Sequence, residues 1–157
     1  MTEQAEQRAL RDVFGCFATG VCVVTTTSDS GAPVGMTVNS FNSVSLQPPL
    51  IAWCIGHDSS CFEHFNGARP FVIHILADDQ EPLSRAFAER GGEPFKDHDW
   101  HRDASGAPVL DQCPVRLYCL PREHIEAGDH VLIIAAVKEF AIADQAPLVF
   151  YRGGYKT

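Results

Sequence analysis

Seven stretches of this chain read as β-strands, and no regular succession of helices separates them. They are residues 21–27 (VCVVTTT), 34–40, 50–56 (LIAWCIG), 71–76 (FVIHIL), 115–120, 131–140 and 148–151, all rich in β-branched and aromatic side chains. The turn residues of SDSGAP make a hairpin of the first two. Helical periodicity is confined to three places. Residues 3–17 set Ala5, Leu10, Val13, Phe14 and Phe17 near one face and charges on the rest, which predicts an amphipathic helix. A short helix opens at Ser59 or Ser60, with Glu63 in capping-box position and Gly67 as its stop. Residues 80–90 form a third, with Leu83 and Phe87 inward, and a long loop covers 91–109. Strands without β-α alternation point to a mainly β fold, an antiparallel barrel with a few flanking helices. A dinucleotide fold is not expected, and no G-x-G-x-x-G is present.

Charge narrows the partners. A net charge of −8 over 157 residues argues against a nucleic-acid binder and against adhesion to anionic membranes. The length suits one domain spanning 1–157. The polar start MTEQAEQRALRD has no apolar signal region, so a cytoplasmic location is expected. The six cysteines include no C-x-x-C pair and sit mostly in apolar runs, which reads as reduced, buried thiols. HDWHRD (residues 98–103) fits no zinc-ligand spacing, and no metal is expected there.

One segment is apolar enough to pack yet crowded with short polar side chains. GMTVNSFNSVSLQPPL (residues 35–50) interleaves Met36, Val38, Phe41, Val44 and Leu46 with three serines, two asparagines and a threonine. A core strand does not need those groups, since each buried one must find a partner. The pattern suits a strand that lines something polar.

FATGVCVVTT, GMTVNSFNSVSLQPPL, FVIHIL, LSRAFA, AGDHVLIIAAV and PLVFYRGGY follow one another in that order. Together they resemble the flavin reductase-like family of FMN-binding split barrels. More narrowly, they resemble the small reductase component of two-component flavin-dependent monooxygenases. The resemblance implies an antiparallel split β-barrel that forms a homodimer. It implies reduction of FMN or FAD by NADH, with NADPH possible, and delivery of reduced flavin to an oxygenase partner. It places Gly35, Met36, Thr37, Asn39 and Ser40 on the flavin, Thr37, Asn39 and Ser40 by hydrogen bonds to ribityl and phosphate. Trp53, Cys54 and Ile55 follow at the ring edge through backbone groups. Ser59 and Ser60 lie near phosphate, and Arg85, Phe87 and Ala88 on a helix facing the flavin, Arg85 paired with phosphate or an adenylate extension. His130 is the catalytic candidate and, with Tyr151, Gly153 and Tyr155, the nicotinamide contact. His74 stands where the family usually has Asn, so a changed contact beneath the flavin is one reading and a changed strand-edge bond another. Two other functions share the barrel: an electron carrier with tightly bound FMN, and a flavin- or heme-binding protein without turnover.

Overall fold

A computed structural model describes residues 1–156. Helix α1 (Glu3–Gly15) leads into a short strand β1 (Thr19–Gly20), then β2 (Cys22–Thr27), β3 (Pro33–Val38), β4 (Asn42–Leu46) and β5 (Pro49–Gly56). Helix α2 (Phe62–Phe65), β6 (Phe71–Ile75), α3 (Glu81–Ala88) and α4 (Pro94–Asp97) come next. The chain finishes with β7 (Trp100–Arg102), β8 (Pro108–Leu110), β9 (Arg116–Ala127), β10 (His130–Ala141), β11 (Val149–Tyr151) and β12 (Gly154–Lys156).

Seven strands form one antiparallel sheet in the order β3-β2-β6-β9-β10-β5-β4. Its two edges are β3 and β4, which are neighbours in sequence with only residues 39–41 between them. Four peptide steps reach about 14 Å at most. The edges therefore have to meet, and the sheet rolls into a barrel whose seam is not a strand ladder. Ser40 bridges that seam. Pairing of β4 with β5 stops at Asn42–Ala52. Beyond it the Ser40 hydroxyl accepts from the Cys54 N–H at 2.9 Å and donates to the Cys54 carbonyl at 3.1 Å. Ser40→Ala strips the Cys54 N–H of its partner in a half-buried place. It is expected to cost about 1–2 kcal/mol in urea unfolding; an unchanged midpoint would deny Ser40 this role.

The barrel interior is filled by alternate residues of its strands. Cys22 and Val24 of β2, Trp53 and Ile55 of β5, and Val131, Ile133 and Ala135 of β10 meet there, with Phe65 of α2 as a plug. The other face of β2 is buried too. Val23, with Val21 just before the strand, packs on Leu83 and Phe87 of α3 and on Leu110 and Leu148. Burial on both faces explains why VCVVTTT shows no alternation. Its threonines find partners: the Thr25 hydroxyl donates to the Pro108 carbonyl at 2.6 Å, and Thr26 to Pro70 at 2.9 Å.

Helix α1 keeps its apolar stripe outside the barrel. It forms, but none of its residues is buried, and Leu10, Val13, Phe14 and Phe17 lie exposed. Its apolar stripe faces away from this chain's core. The 91–109 loop instead holds α4 and the start of the β7–β8 hairpin. Aromatic edges tie it down, with Phe95 5.1 Å from Phe87 and 5.5 Å from Trp100. The short helix begins later than read: its N-cap is Cys61, without a side-chain bond, while the Ser59 hydroxyl takes the Cys61 N–H at 3.2 Å. Among the described residues no helix is long and apolar enough to cross a membrane.

Candidate functional site

Strand β3 is a sheet edge, so alternate backbone groups along it are left without a strand partner. A cavity of about 370 Å³ runs beside it. Gly35, Met36 and Thr37 form one wall, and residues 87–92 at the end of α3 form the roof. The turn after β5, from Gly56 to Cys61, and His130 at the start of β10 close the far side. The groove continues at both ends. Thr37 and Ala88 are shared with a space of about 210 Å³ that reaches Asn39, Phe150 and Tyr155. Gly35, Ser60 and Cys61 are shared with one of about 350 Å³ that reaches His64, Phe95 and Lys96.

Gly35 is small for a packing reason. A Cβ there would lie 2.7 Å from Phe87 Cε1 and 3.3 Å from Phe95 Cζ. Phe87 is buried, with Phe95 against its ring, and has little room to retreat. Gly35→Ala should therefore displace α3 and narrow the groove, at about 1–3 kcal/mol. Denaturant titration reads the loss, and an unchanged midpoint would mean that the ring swings aside freely.

Thr37 fastens the roof to the wall. Its hydroxyl donates to the Ser84 carbonyl at 2.6 Å, and the Ser84 hydroxyl lies 2.7 Å from the Tyr155 hydroxyl. β3, α3 and β12 are thus joined by one polar chain, and the Thr37 oxygen keeps acceptor capacity toward the groove.

His130 follows a two-residue turn. Gly128 takes φ 66° at the first central position, which suits the twist of a β-hairpin. The turn is braced by the His57 N–H, which donates to the Asp129 carbonyl at 3.0 Å. His130 Nδ1 lies 2.6 Å from Asp129 Oδ1, so Nδ1 carries the proton and Nε2 is left for the groove. Nε2 is 3.6 Å from where a Cβ on Gly56 would stand, and Asp58 Oδ1 is 3.0 Å from that same point. The hydrogen bond from His130 holds the Asp129 carboxyl below its usual range.

Several residues that the resemblance places on the flavin have their side chains engaged elsewhere. Trp53 and Ile55 point into the barrel core, where Trp53 meets Phe65 and Phe71 edge-on at 5.1 and 5.7 Å. The period of two sends both side chains inward. Ser40 spends its hydroxyl on Cys54, which also occupies the Cys54 N–H and C=O. Arg85 grips Glu81, Nη2 to Oε1 at 2.8 Å, and lies 4.9 Å over the Tyr155 ring. One face of Tyr155 is thereby covered, and Phe150 meets the ring edge-on at 5.3 Å. Gly153 lines a separate space beside α1, and Tyr151 carries the Arg152 guanidinium. Gly35, Met36, Thr37, Ser59, Ser60, Phe87, Ala88 and His130 do converge on the central cavity, and Asn39 and Tyr155 on its extension.

His74 is not beneath the groove. It is fully buried between strands, its Nδ1 3.0 Å from the Val23 carbonyl and its Nε2 accepting the Leu110 N–H at 3.0 Å. Burial raises the Cys54 and Cys61 thiols above their ordinary value, so neither is poised as a thiolate. His98 and His101 turn to Gln112 and Asp111, and no cluster among the described residues could hold a metal ion.

A rolled antiparallel sheet, split along β3 and β4 with a groove on its open edge, defines the class as a split barrel. The sequence matches the flavin reductase like domain over residues 14–157. The chain belongs to that family. It is 43% identical to the FMN reductase (NADH) SmoA of Agrobacterium fabrum, covering 94% of this chain and 84% of that one. It is 41% identical to the reductase component of the flavin-dependent trigonelline monooxygenase of Acinetobacter baylyi, over 96% of this chain and 48% of that protein. The chain thus spans about half the length of some curated relatives it matches. The solved NADH:FAD oxidoreductase SgcE6 of Streptomyces globisporus, in complex with NAD and FAD fragments, superposes with a TM-score of 0.90 at 33% identity. The match covers all of this chain and 95% of that one.

Proposed function

We propose that this chain is an NAD(P)H:flavin oxidoreductase that reduces FMN or FAD and passes reduced flavin to an oxygenase. The observation that carries the reading is the groove on the open β3 edge, lined by glycines and the short hydroxyl side chains of Thr37, Ser59 and Ser60, with His130 at one end. Such a surface suits a ribityl chain and phosphate in an acidic protein, where binding rests on local donors rather than the overall field. The names of the relatives support the same activity, and those printed with NADH favour it over NADPH.

Bound flavin supplies the acceptor for a hydride from the nicotinamide. This chain's residues position the two partners. Thr37, Asn39 and Ser60 meet the ribityl and phosphate, Ala88 lets the ligand lie close, and His130 Nε2 hydrogen-bonds at the reacting end. The chain acts as one domain and pairs as a homodimer. The exposed apolar side chains of α1, together with Leu46, Phe140 and Ile142, support pairing, because a lone chain would leave them in water.

The test is NADH absorbance against time with purified protein, with and without added FMN or FAD. Decay that saturates with added flavin is expected. Decay without added flavin, from protein that purifies yellow, would mean a prosthetic flavin; no decay while flavin binds would end the reductase reading.

A further inference from the structure

We propose that Arg90, and not Arg85, is the residue that holds the flavin phosphate, an assignment that rests on the flavin reading above. A dianion entering a protein of net charge −8 needs a local cation. The central cavity has acidic neighbours, Asp58 and Glu89, and among its lining residues Arg90 is the sole lysine or arginine.

The other cations nearby are already engaged. Arg85 makes two hydrogen bonds to Glu81, at 2.8 and 3.1 Å, one helical turn away. It lies across the Tyr155 ring and is absent from the cavity wall. Lys96, in the adjoining space, is bound to Glu93 at 2.7 Å. Arg90 has no carboxylate partner among the described residues. Its one contact is a long 3.5 Å bond from Nη2 to the Asp58 carbonyl, across the mouth of the cavity.

Backbone geometry explains how Arg90 gets there. Helix α3 ends at Ala88, and Glu89 is extended with ψ 124°. Gly91 then takes φ 73°, a left-handed turn open to glycine. The chain bends back over the groove, and Arg90 faces the turn that carries Ser59 and Ser60 instead of continuing the helix surface. The Ser60 N–H is without a partner among the described residues, so a guanidinium and a backbone donor stand on opposite sides of one space. Arg suits that place, since its planar fork takes two phosphate oxygens at once.

The experiment compares FMN with riboflavin, which lacks the phosphate, by quenching of flavin fluorescence on purified protein. Wild type should bind FMN more tightly than riboflavin. Arg90→Gln should raise the FMN Kd by roughly tenfold or more and leave riboflavin unchanged. Arg85→Gln should keep the wild-type ratio of the two affinities. An unchanged ratio in Arg90→Gln, or a ratio that collapses in Arg85→Gln, would overturn the assignment while leaving flavin binding intact. Wild-type protein that binds neither flavin would overturn the functional reading, and this assignment with it.

Discussion

Acidification from pH 7 to pH 4 is expected to remove about 3 kcal/mol of folding stability through His74 alone. Burial depresses this imidazole from 6.5 to about 4, against the hydrogen bond to Val23, with the Arg116 guanidinium lowering it further. Only the neutral ring fits. Its Nδ1–H donates to Val23, and its bare Nε2 accepts from Leu110; a second proton would face the Leu110 N–H directly. Arg116 is fixed beside it, donating to the Leu110 and Cys113 carbonyls. Between about pH 4 and 6.5 the unfolded chain binds the proton that the native state refuses. Stability therefore rises with pH through that window, is complete above it, and is lost on the way down. Urea unfolding at several pH values measures the slope. His74→Gln keeps a donor and an acceptor but cannot titrate, so its curve should be flatter by that difference. If the two curves run parallel, the acid loss belongs to other groups. Because Nε2 holds Leu110, the β7–β8 hairpin should loosen first, visible as early amide exchange there.

Much of this architecture is legible in sequence because burial leaves a pattern. The apolar runs of β2, β5, β6 and β10 are packed strands, and Leu83 and Phe87 mark the inner face of α3. Strands with solvent on their outer faces leave less. β4 carries Asn42, Ser43 and Ser45 beside two prolines, and the second half of β9 reads PREHIEA; both look like loops until a neighbour pairs with them. β12 is three residues and finds its place only against β11. The α1 stripe shows the opposite failure. Amphipathic spacing reveals that a helix will hide one face, but not whether its own chain covers it.

The site divides in the same way. Residue types were readable only in part: Thr37 and Asn39 border the groove, whereas Asn42, Ser43 and Ser45 belong to β4, outside its lining. Side-chain orientation is written in the same residues. Alternation along β5 already sends Trp53 and Ile55 to one side and Cys54 to the other. Glu81 and Arg85 are four apart on a helix, the spacing of an ion pair, which was a sign that Arg85 had a partner. Ser40 could not be foreseen in the same manner. Its bonds to Cys54 exist only because the sheet closes, and closure is a property of the strand order.

His130→Ala should lower kcat/KM for NADH by about 100-fold while changing flavin affinity by less than about 3-fold. The asymmetry follows from position. The flavin's ribityl and phosphate lie along β3 and the Ser59–Ser60 turn in the proposed arrangement, whereas His130 stands at the end of β10. Asp129 fixes its proton on Nδ1, so what it offers the groove is a directed Nε2, held without further reorganisation. A group placed that way serves the reacting end of the second ligand more than the anchoring of the first. Stopped-flow reduction separates the two quantities, with flavin Kd taken from fluorescence. His130→Asn, which retains hydrogen-bonding capacity on a shorter arm, should recover part of the rate. Asp129→Ala should lose part of it, since the imidazole is then free to turn. Equal losses in flavin affinity and turnover would put His130 on the flavin itself. A rate unchanged in His130→Ala would leave hydride transfer to ring alignment alone, with the histidine serving only to close the β9–β10 turn.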